Sequence, residues 1–241
     1  SLTVASGYYN ETSSIGFSKI EIGDRLRDLI TLTKPIIVVL LLVTTLGGMV
    51  AGAKSLPPFW LIFWTLLGGT FAAGGASALN QYIDRDLDKH MQRTANRPLA
   101  AGRMYPAEGL AFGLALSMIS FYLLVGFVNL LAAALSVAGI FYYVWLYSIL
   151  LKRSTVQNIV IGGGAGAIPP LVGWAAATGN LSVAAWFMFA IIFFWTPPHF
   201  WALSIVRKKD YEKAGVPMLP VKKKKKETRR QIWLYTLLLV A

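Results

Sequence analysis

Long stretches without a charged residue alternate with short charged segments along this chain. The first two charge-free stretches between charges cover residues 35–53 and 57–83. Two longer ones, residues 109–151 and 154–206, could each hold two membrane-spanning helices, because one span needs about 20 mostly apolar residues. The pattern predicts an all-α, multi-pass transmembrane protein.

Polar motifs divide the two longer stretches. GFVN at residues 126–129 and TGN at residues 178–180 both predict turns. The predicted spans are about 35–53, 57–83, 107–126, 129–151, 156–177 and 181–206, with a partial seventh at 231–241. We expect residues 1–34 to form a cytoplasmic N-terminal segment and residues 35–241 to form one transmembrane domain. Because the seventh span is cut short, we also expect the chain to be incomplete at its C-terminus.

Composition and charge agree with a membrane protein. Hydrophobic residues make up 56% of the chain and charged residues 14%, and the absence of cysteine excludes disulfides and thiolate metal sites. The net charge of +12 would suit nucleic acid, but the distribution of the basic residues follows the positive-inside rule instead. With the N-terminus inside, every lysine and arginine except Lys54 lies on the inner side. We therefore predict no nucleic-acid partner and an active site that opens inward.

An acidic motif, NQYIDRDLD, lies at the inner end of the second predicted span. Asn80, Asp84 and Asp88 are four residues apart, so a helix presents them on one face, whereas Asp86 points roughly opposite, to solvent or an arginine. Two carboxylates and an amide oxygen suit Mg²⁺, which commonly binds through one or two carboxylates plus substrate phosphates. The simpler alternative is a charged helix end whose acids pair with neighbouring basic residues.

Basic segments on the same side of the membrane could bind a diphosphate. Arg97 lies in RTANRPLAAGRM, and Lys152 and Arg153 lie in LKRST at another helix end. The planar fork of arginine suits phosphate oxygens, although a positive-inside topology places basic residues in these loops in any case. Asp210 lies in a later inner loop, RKKDYEKAGVPMLP, and could face the first motif so that two metal ions bridge one diphosphate.

One histidine and one glycine-rich segment lie inside predicted spans. His199 follows two prolines in TPPHFW, and an ionisable residue within a span indicates a functional site. The alternative is a structural, hydrogen-bonded histidine. GGGAGAIPP could resemble a phosphate-binding loop, but such loops follow a strand. We interpret it as small residues that let helices approach closely.

The motif NxxxDxxxD at the inner end of a second span resembles the first aspartate-rich motif of the UbiA superfamily of intramembrane prenyltransferases. Longer stretches resemble the branch of that superfamily that farnesylates haem: NRPLAAG, LKRSTVQNIVIGGGAGAIPPLVGWAAATG, FFWTPPHFWAL and DYEKAGVPMLP. The resemblance runs from about residue 33 to the end of the chain. It implies a helical bundle of nine spans around a central cavity, so residues 35–241 would form a single, C-terminally incomplete prenyltransferase domain.

The resemblance also implies a reaction. It is the Mg²⁺-dependent transfer of farnesyl from farnesyl diphosphate to a vinyl group of haem B, which gives haem O for terminal oxidases. Haem A synthase or oxidase assembly factors are candidate partners, besides the lipid bilayer. The implied location is the cell membrane of a prokaryote, with the N-terminus and active-site loops cytoplasmic, and the mitochondrial inner membrane is the alternative.

Site residues follow from the same resemblance. Lys209 stands where the family's second motif has an acid, which weakens the expectation of a second metal ion. The implied catalytic residues are Asp84, Asp88 and Asp210; the metal ligands are Asn80, Asp84, Asp88 and Asp210; the diphosphate-binding residues are Arg97, Lys152 and Arg153; and the haem-binding residue is His199.

Three other functions remain open from the sequence. A UbiA-type prenyltransferase could act on an aromatic acid or a quinone precursor, because the acidic motif does not identify the acceptor. A membrane transporter is the main alternative from another class, but transporters place ionisable groups near the bilayer midplane, and here the acids cluster at one helix end and an inner loop. A non-catalytic scaffold for oxidase assembly would not need the acids of the motif.

Overall fold

The computed structural model describes residues 22–152 and 154–241, and their regular structure is entirely helical, as the sequence predicts. Arg153, predicted to bind diphosphate, and most of the predicted N-terminal segment lie outside the described residues. The helices are α1 (Ile22–Thr33), α2 (Pro35–Ala53), α3 (Phe59–Asp88), α4 (Pro106–Phe127), α5 (Leu130–Phe141) with a π-helix (Tyr142–Leu151), α6 (Asn158–Thr178), α7 (Val183–Val206), α8 (Lys208–Lys213), α9 (Leu219–Lys222) and α10 (Lys225–Val240).

Six helices of the described chain are long and apolar enough to cross a membrane. They are α2, α3, α4, α5 with its π-helix, α6 and α7. The connections between them are short where the sequence contains turn motifs. Asn129 caps the start of α5, and its side chain accepts a hydrogen bond of 2.8 Å from the amide of Ala132. Gly179 ends α6 with a φ of 72°, a left-handed conformation that glycine adopts at little cost.

Helix α3 is the longest, and it carries the acidic motif. Its 30 residues run without interruption from Phe59 to Asp88, beyond the predicted end of the span at residue 83. At 1.5 Å per residue the helix is about 45 Å long, whereas the hydrocarbon core of a bilayer is about 30 Å thick. Helix α3 is therefore longer than the hydrocarbon core is thick, and the acidic motif occupies its last turns.

Helices α2 and α6 approach each other closely because glycines face the partner backbone. A Cβ atom on Gly48 would lie 2.2 Å from the carbonyl oxygen of Pro170, and one on Gly173 would lie 1.9 Å from that of Thr45. The glycine-rich start of α6 is packed in a similar way, since a Cβ on Gly162 would lie 2.3 Å from the ring of a tyrosine in the π-helix. The interpretation of GGGAGAIPP as a helix-packing segment is confirmed.

The segment after α7 folds back against the end of the bundle that carries the acidic motif. Its buried residues form a hydrophobic cluster with side chains from α6 and α7. The members are Ile159, Trp201, Val216, Met218 and Leu219, with Leu87 and Tyr211 among the partly buried side chains packed against them. The loop that contains the second acidic motif is therefore fixed against the end of α3.

Candidate functional site

The polar face of α3 is buried in the bundle. Asn80, Asp84 and Asp88 are 3%, 0% and 2% exposed, although they lie at the end of a membrane-spanning helix. Asp86 points to the other side, is largely exposed, and lies 3.1 Å from the ammonium of Lys89. The prediction of one polar face that excludes Asp86 is confirmed. A charged group is buried at a cost of several kcal/mol unless it is paired, so the partners of these acids matter.

Two of the predicted basic residues reach the two acids. Nη1 of Arg97, in the loop after α3, lies 2.7 Å from Oδ2 of Asp88. Nζ of Lys152, directly after the π-helix, donates a hydrogen bond to Oδ2 of Asp84. Both cations are largely buried, at 19% and 16% side-chain exposure. The fold thus brings the two cations and the two acids together from separate parts of the sequence.

A third cation, which the sequence did not single out, contacts the amide of the same face. Nζ of Lys34 donates a hydrogen bond of 3.0 Å to Oδ1 of Asn80. Lys34 joins α1 to α2 in a left-handed conformation with a φ of 53°, which is uncommon for a non-glycine residue. Burial, together with the positive charges of Arg97 and Lys152, lowers the pKa of Lys34 to about 7, against the opposing effect of the two acids. In the sequence, Lys34 is one of many basic residues that flank the predicted spans.

The amide nitrogen of Asn80 has two further partners. It donates a hydrogen bond of 2.9 Å to Oγ of Ser148 in the π-helix and one of 2.7 Å to Oδ2 of Asp84. Ser148 itself is 1% exposed. It lies in a span without charged residues, so neither charge nor hydropathy marks it as part of the site.

The second acidic motif lies at the same end of the bundle. Tyr211, next to Asp210 in α8, packs against the same hydrophobic cluster as Leu87, which lies between the two acids of α3. Asp210 is half-buried. The role of Asp210 as a metal ligand stays a prediction.

The oxygen atoms of Asn80, Asp84 and Asp88 fit a divalent cation that is also bound by the phosphate oxygens of a substrate. In the described chain, no three His, Cys, Asp or Glu side chains form a group that could hold a metal ion. Two carboxylates and an amide oxygen on one buried face nevertheless match the partial protein shell that Mg²⁺ uses with phosphate substrates. Three neighbouring cations add positive charge for a polyanion.

His199 lies in α7, directly after Pro197 and Pro198. Its ring is exposed and stacks on Trp195, with centroids 4.4 Å apart, and it meets the edge of Phe200 at 5.3 Å. Helix α7 continues through Pro197 and Pro198 to Val206. The ring contacts of His199 are thus with neighbours on its own helix, and a role in haem binding stays a prediction.

Residues 41–241 match the model of the UbiA prenyltransferase family. The chain therefore belongs to the UbiA prenyltransferase family, a class of helical membrane proteins that fits the fold and the buried acidic face. Proteins named protoheme IX farnesyltransferase are among its relatives. It is 57% identical over 209 residues to one from Trichodesmium erythraeum (strain IMS101) and 53% identical over 216 residues to one from Roseiflexus sp. (strain RS-1). These alignments cover 87% and 90% of this chain, but only 64% and 40% of the relatives.

Solved structures agree on the fold. A UbiA homolog from Archaeoglobus fulgidus bound to DMAPP and Mg²⁺ matches with a TM-score of 0.75 at 15% identity, covering 88% of this chain and 75% of that chain. A structure described as digeranylgeranylglyceryl phosphate synthase matches with a TM-score of 0.73 at 18% identity, covering 90% and 75%. At these identities the likeness extends to the fold alone.

Proposed function

We propose that this protein transfers a farnesyl group from farnesyl diphosphate to a vinyl group of haem B, giving haem O, with Mg²⁺ as the cofactor. The observation that carries the proposal is the buried polar face of α3, on which Asn80, Asp84 and Asp88 each contact a cation from another segment. The acceptor and the donor are proposed from the relatives named protoheme IX farnesyltransferase, since the acidic face by itself suits any prenyl diphosphate.

The three cations are proposed to bind the diphosphate. Arg97, Lys152 and Lys34 come from three segments and converge on one face, so a polyanion placed above that face would meet all of them. Arg153, next to Lys152, is proposed to join them. Charge-assisted hydrogen bonds to phosphate oxygens are roughly twice as strong as neutral ones. In this arrangement the acids hold the cations in place before the substrate arrives.

Breaking the allylic carbon–oxygen bond is the step that these residues are proposed to assist. The electron pair of that bond leaves with the diphosphate, and the carbon retains a positive charge. Asp84, Asp88 and the amide oxygen of Asn80 would hold Mg²⁺, which would supply positive charge that stabilises the leaving group. Arg97 and Lys152 would neutralise the remaining oxygens, and Asp210 is proposed as a further ligand from α8.

The acceptor then forms the new bond. The π electrons of the haem vinyl group form a bond to the allylic carbon, which leaves a positively charged carbon beside the porphyrin. Water adds its oxygen to that carbon and releases one proton to solvent, so the product carries a hydroxyl group. Keeping water away until that moment requires an apolar surrounding, and the spans supply one because their side chains are almost entirely apolar. His199, which stacks on Trp195, is proposed to bind the haem iron or a propionate.

The proposal is tested by incubating the purified protein with farnesyl diphosphate, haem B and Mg²⁺ and measuring the mass of the haem. A farnesylated haem is expected, and its formation should stop when EDTA removes the metal. Formation of prenylated 4-hydroxybenzoate with no change in haem would overturn the choice of acceptor. Movement of a substrate across proteoliposomes without covalent change would favour a transporter.

Asp84→Asn and Asp86→Asn form a matched pair for this assay. Both remove one negative charge within the same turn of α3, but Asp84 is fully buried and Asp86 is largely exposed. Loss of transition-state stabilisation should lower the turnover of Asp84→Asn by roughly 100-fold or more. Asp86→Asn should change it by less than about 3-fold, because exposed ion pairs contribute about 0–1 kcal/mol. Equal activity of the two variants would contradict a catalytic role for the acidic face and would favour a scaffold.

A further inference from the structure

The orientation of the Asn80 amide is set by hydrogen bonds from two directions. Its nitrogen donates to Ser148 at 2.9 Å and to Asp84 at 2.7 Å, which uses both of its hydrogens, and its oxygen accepts from Lys34 at 3.0 Å. Rotating the amide by half a turn would place its oxygen 2.7 Å from a carboxylate oxygen and its nitrogen beside an ammonium group. Only one orientation therefore satisfies all three neighbours.

Ser148 contributes to this choice because its own proton has another acceptor. The hydroxyl donates a hydrogen bond of 2.9 Å to the carbonyl oxygen of Tyr143, so its oxygen is left to accept from Asn80. Since a serine hydroxyl has a single proton, the polarity of the two hydrogen bonds is linked. A proton directed at Tyr143 obliges Asn80 to present its nitrogen to Ser148 and its oxygen to the other side.

The π-helix makes this hydrogen bond available. Many serines and threonines in the α-helices of the described chain bond a carbonyl three or four residues earlier, as Thr45, Ser117 and Ser204 do. Ser148 instead reaches the residue five positions earlier, which is the spacing of π-helical backbone bonds. The amide of Lys152 follows the same spacing, since it donates to the carbonyl of Tyr147. π-Helical turns are rare and often occur at functional sites.

We infer that Ser148 is a positioning residue that holds the oxygen of the Asn80 amide toward the ligand side of the acidic face. Ser148 would be needed most once a substrate binds. If a metal ion draws the carboxylate of Asp84 toward itself, the neutral hydroxyl on the π-helix is the acceptor that stays in place. The inference rests on the proposed function, because it concerns the metal and diphosphate site of that reaction.

If the inference holds, the affinity for the metal ion depends on Ser148, which is not itself a metal ligand. Residues that orient metal ligands typically change metal affinity by 10–100-fold when they are replaced. Without the hydroxyl of Ser148, the Asn80 amide would lose one of its two nitrogen acceptors and would rotate more freely. Its oxygen would then be a poorer ligand, while the carboxylates of Asp84 and Asp88 would be unchanged.

The test measures binding rather than turnover. Mn²⁺ replaces Mg²⁺, and its affinity is measured by electron paramagnetic resonance with farnesyl thiodiphosphate, a slowly reacting analogue, present at saturation. Ser148→Ala should weaken Mn²⁺ binding by about 10-fold. Ser148→Thr, which keeps the hydroxyl, should stay within about 3-fold of the unchanged protein.

Ser120→Ala is the control for loss of a buried serine. Ser120 is also 1% exposed and also donates to a backbone carbonyl, that of Gly68, but it lies in α4. The Ser120→Ala variant should leave the Mn²⁺ affinity unchanged, while it should alter the thermal stability about as much as Ser148→Ala does. Unchanged Mn²⁺ binding by Ser148→Ala, or equal weakening by Ser120→Ala, would overturn the inference.

Failure of the proposed function is a separate outcome. If the protein without substitutions binds Mn²⁺ and the analogue but makes no farnesylated haem, the proposed function fails, and the inference is still judged by the binding data.

Discussion

Arg97 Nη1 lies 2.7 Å from Asp88 Oδ2, and this ion pair closes the loop that follows α3 onto the last turn of that helix. The carboxylate is 3% exposed and the guanidinium 19%. Because both groups are largely buried, each replaces the water that would otherwise solvate the charge of the other. The pair therefore serves the fold in the absence of substrate and is proposed to serve the diphosphate in its presence.

Arg97→Gln should destabilise the protein because it leaves a buried carboxylate without its cation. Removing one partner of a buried ion pair typically costs roughly 3–5 kcal/mol. The thermal unfolding midpoint in detergent, followed by tryptophan fluorescence, should fall clearly. Adding Mg²⁺ should restore part of the loss, since ligands that bind only the folded state stabilise it.

The double variant Arg97→Gln with Asp88→Asn is the matched control for that prediction. It removes both charges, so the buried carboxylate no longer lacks a partner. Its midpoint should lie above the value obtained by adding the two single losses, because residues in direct contact are not additive. Strict additivity would mean that the two side chains do not stabilise each other.

Lys34→Met should weaken binding of the prenyl diphosphate. A hydrogen bond to a charged group contributes about 1.5–3 kcal/mol, so the loss should be roughly 10-fold or more in affinity. Lys54→Met is the control, because Lys54 has the same φ of 53° at the other end of α2 and lies far from the acidic face. Titration with farnesyl thiodiphosphate measures the affinity of both variants for the prenyl diphosphate. An equal loss of affinity in the two would argue against a local role for Lys34.

Gly173→Ala should destabilise the bundle without touching the site. A Cβ atom there would lie 1.9 Å from the carbonyl oxygen of Thr45, so α2 and α6 would have to separate. Overpacking of this kind costs about 1–3 kcal/mol. Gly166→Ala lies in the same helix, where an added Cβ meets nothing within 4 Å, and it should be neutral or slightly stabilising because alanine favours helices. Thermal unfolding of the two variants side by side checks the difference.

His199→Ala should change the absorption of bound haem B and weaken its binding. An imidazole is a common axial ligand of haem iron, and the ring of His199 stacks on Trp195. His90→Ala is the control, because His90 is the other histidine of the chain and is exposed after the last turn of α3. An unchanged spectrum and affinity in His199→Ala would remove haem ligation from the proposed mechanism.

Much of this architecture was predictable because two kinds of local regularity determine it. Charge-free runs of about 20 residues specify spans, and the spacing of four places Asn80, Asp84 and Asp88 on one face. The turn residues of GFVN and TGN lie where chain reversal requires them. These features depend on neighbours within a few positions, so the sequence displays them directly.

Other parts of the site depend on tertiary packing and could not be predicted in this way. Lys34 and Asn80 are 46 positions apart, and Ser148 is 68 positions from Asn80. Nothing near Lys34 distinguishes it from other basic residues that flank the spans. The position of Ser148 depends on a change from α-helical to π-helical spacing at Tyr142, and hydropathy does not reveal such a change.

Because α3 is one uninterrupted helix, the depth of its acids in the membrane and the direction in which they point change together. A helix turns by about 100° and rises by about 1.5 Å with each residue. One residue inserted between Phe59 and Asn80 would move the acids along the membrane normal and also rotate them away from Lys34, Lys152 and Arg97. Two residues would rotate them almost to the opposite side. The depth of the acids in the membrane is therefore coupled to the direction in which they point.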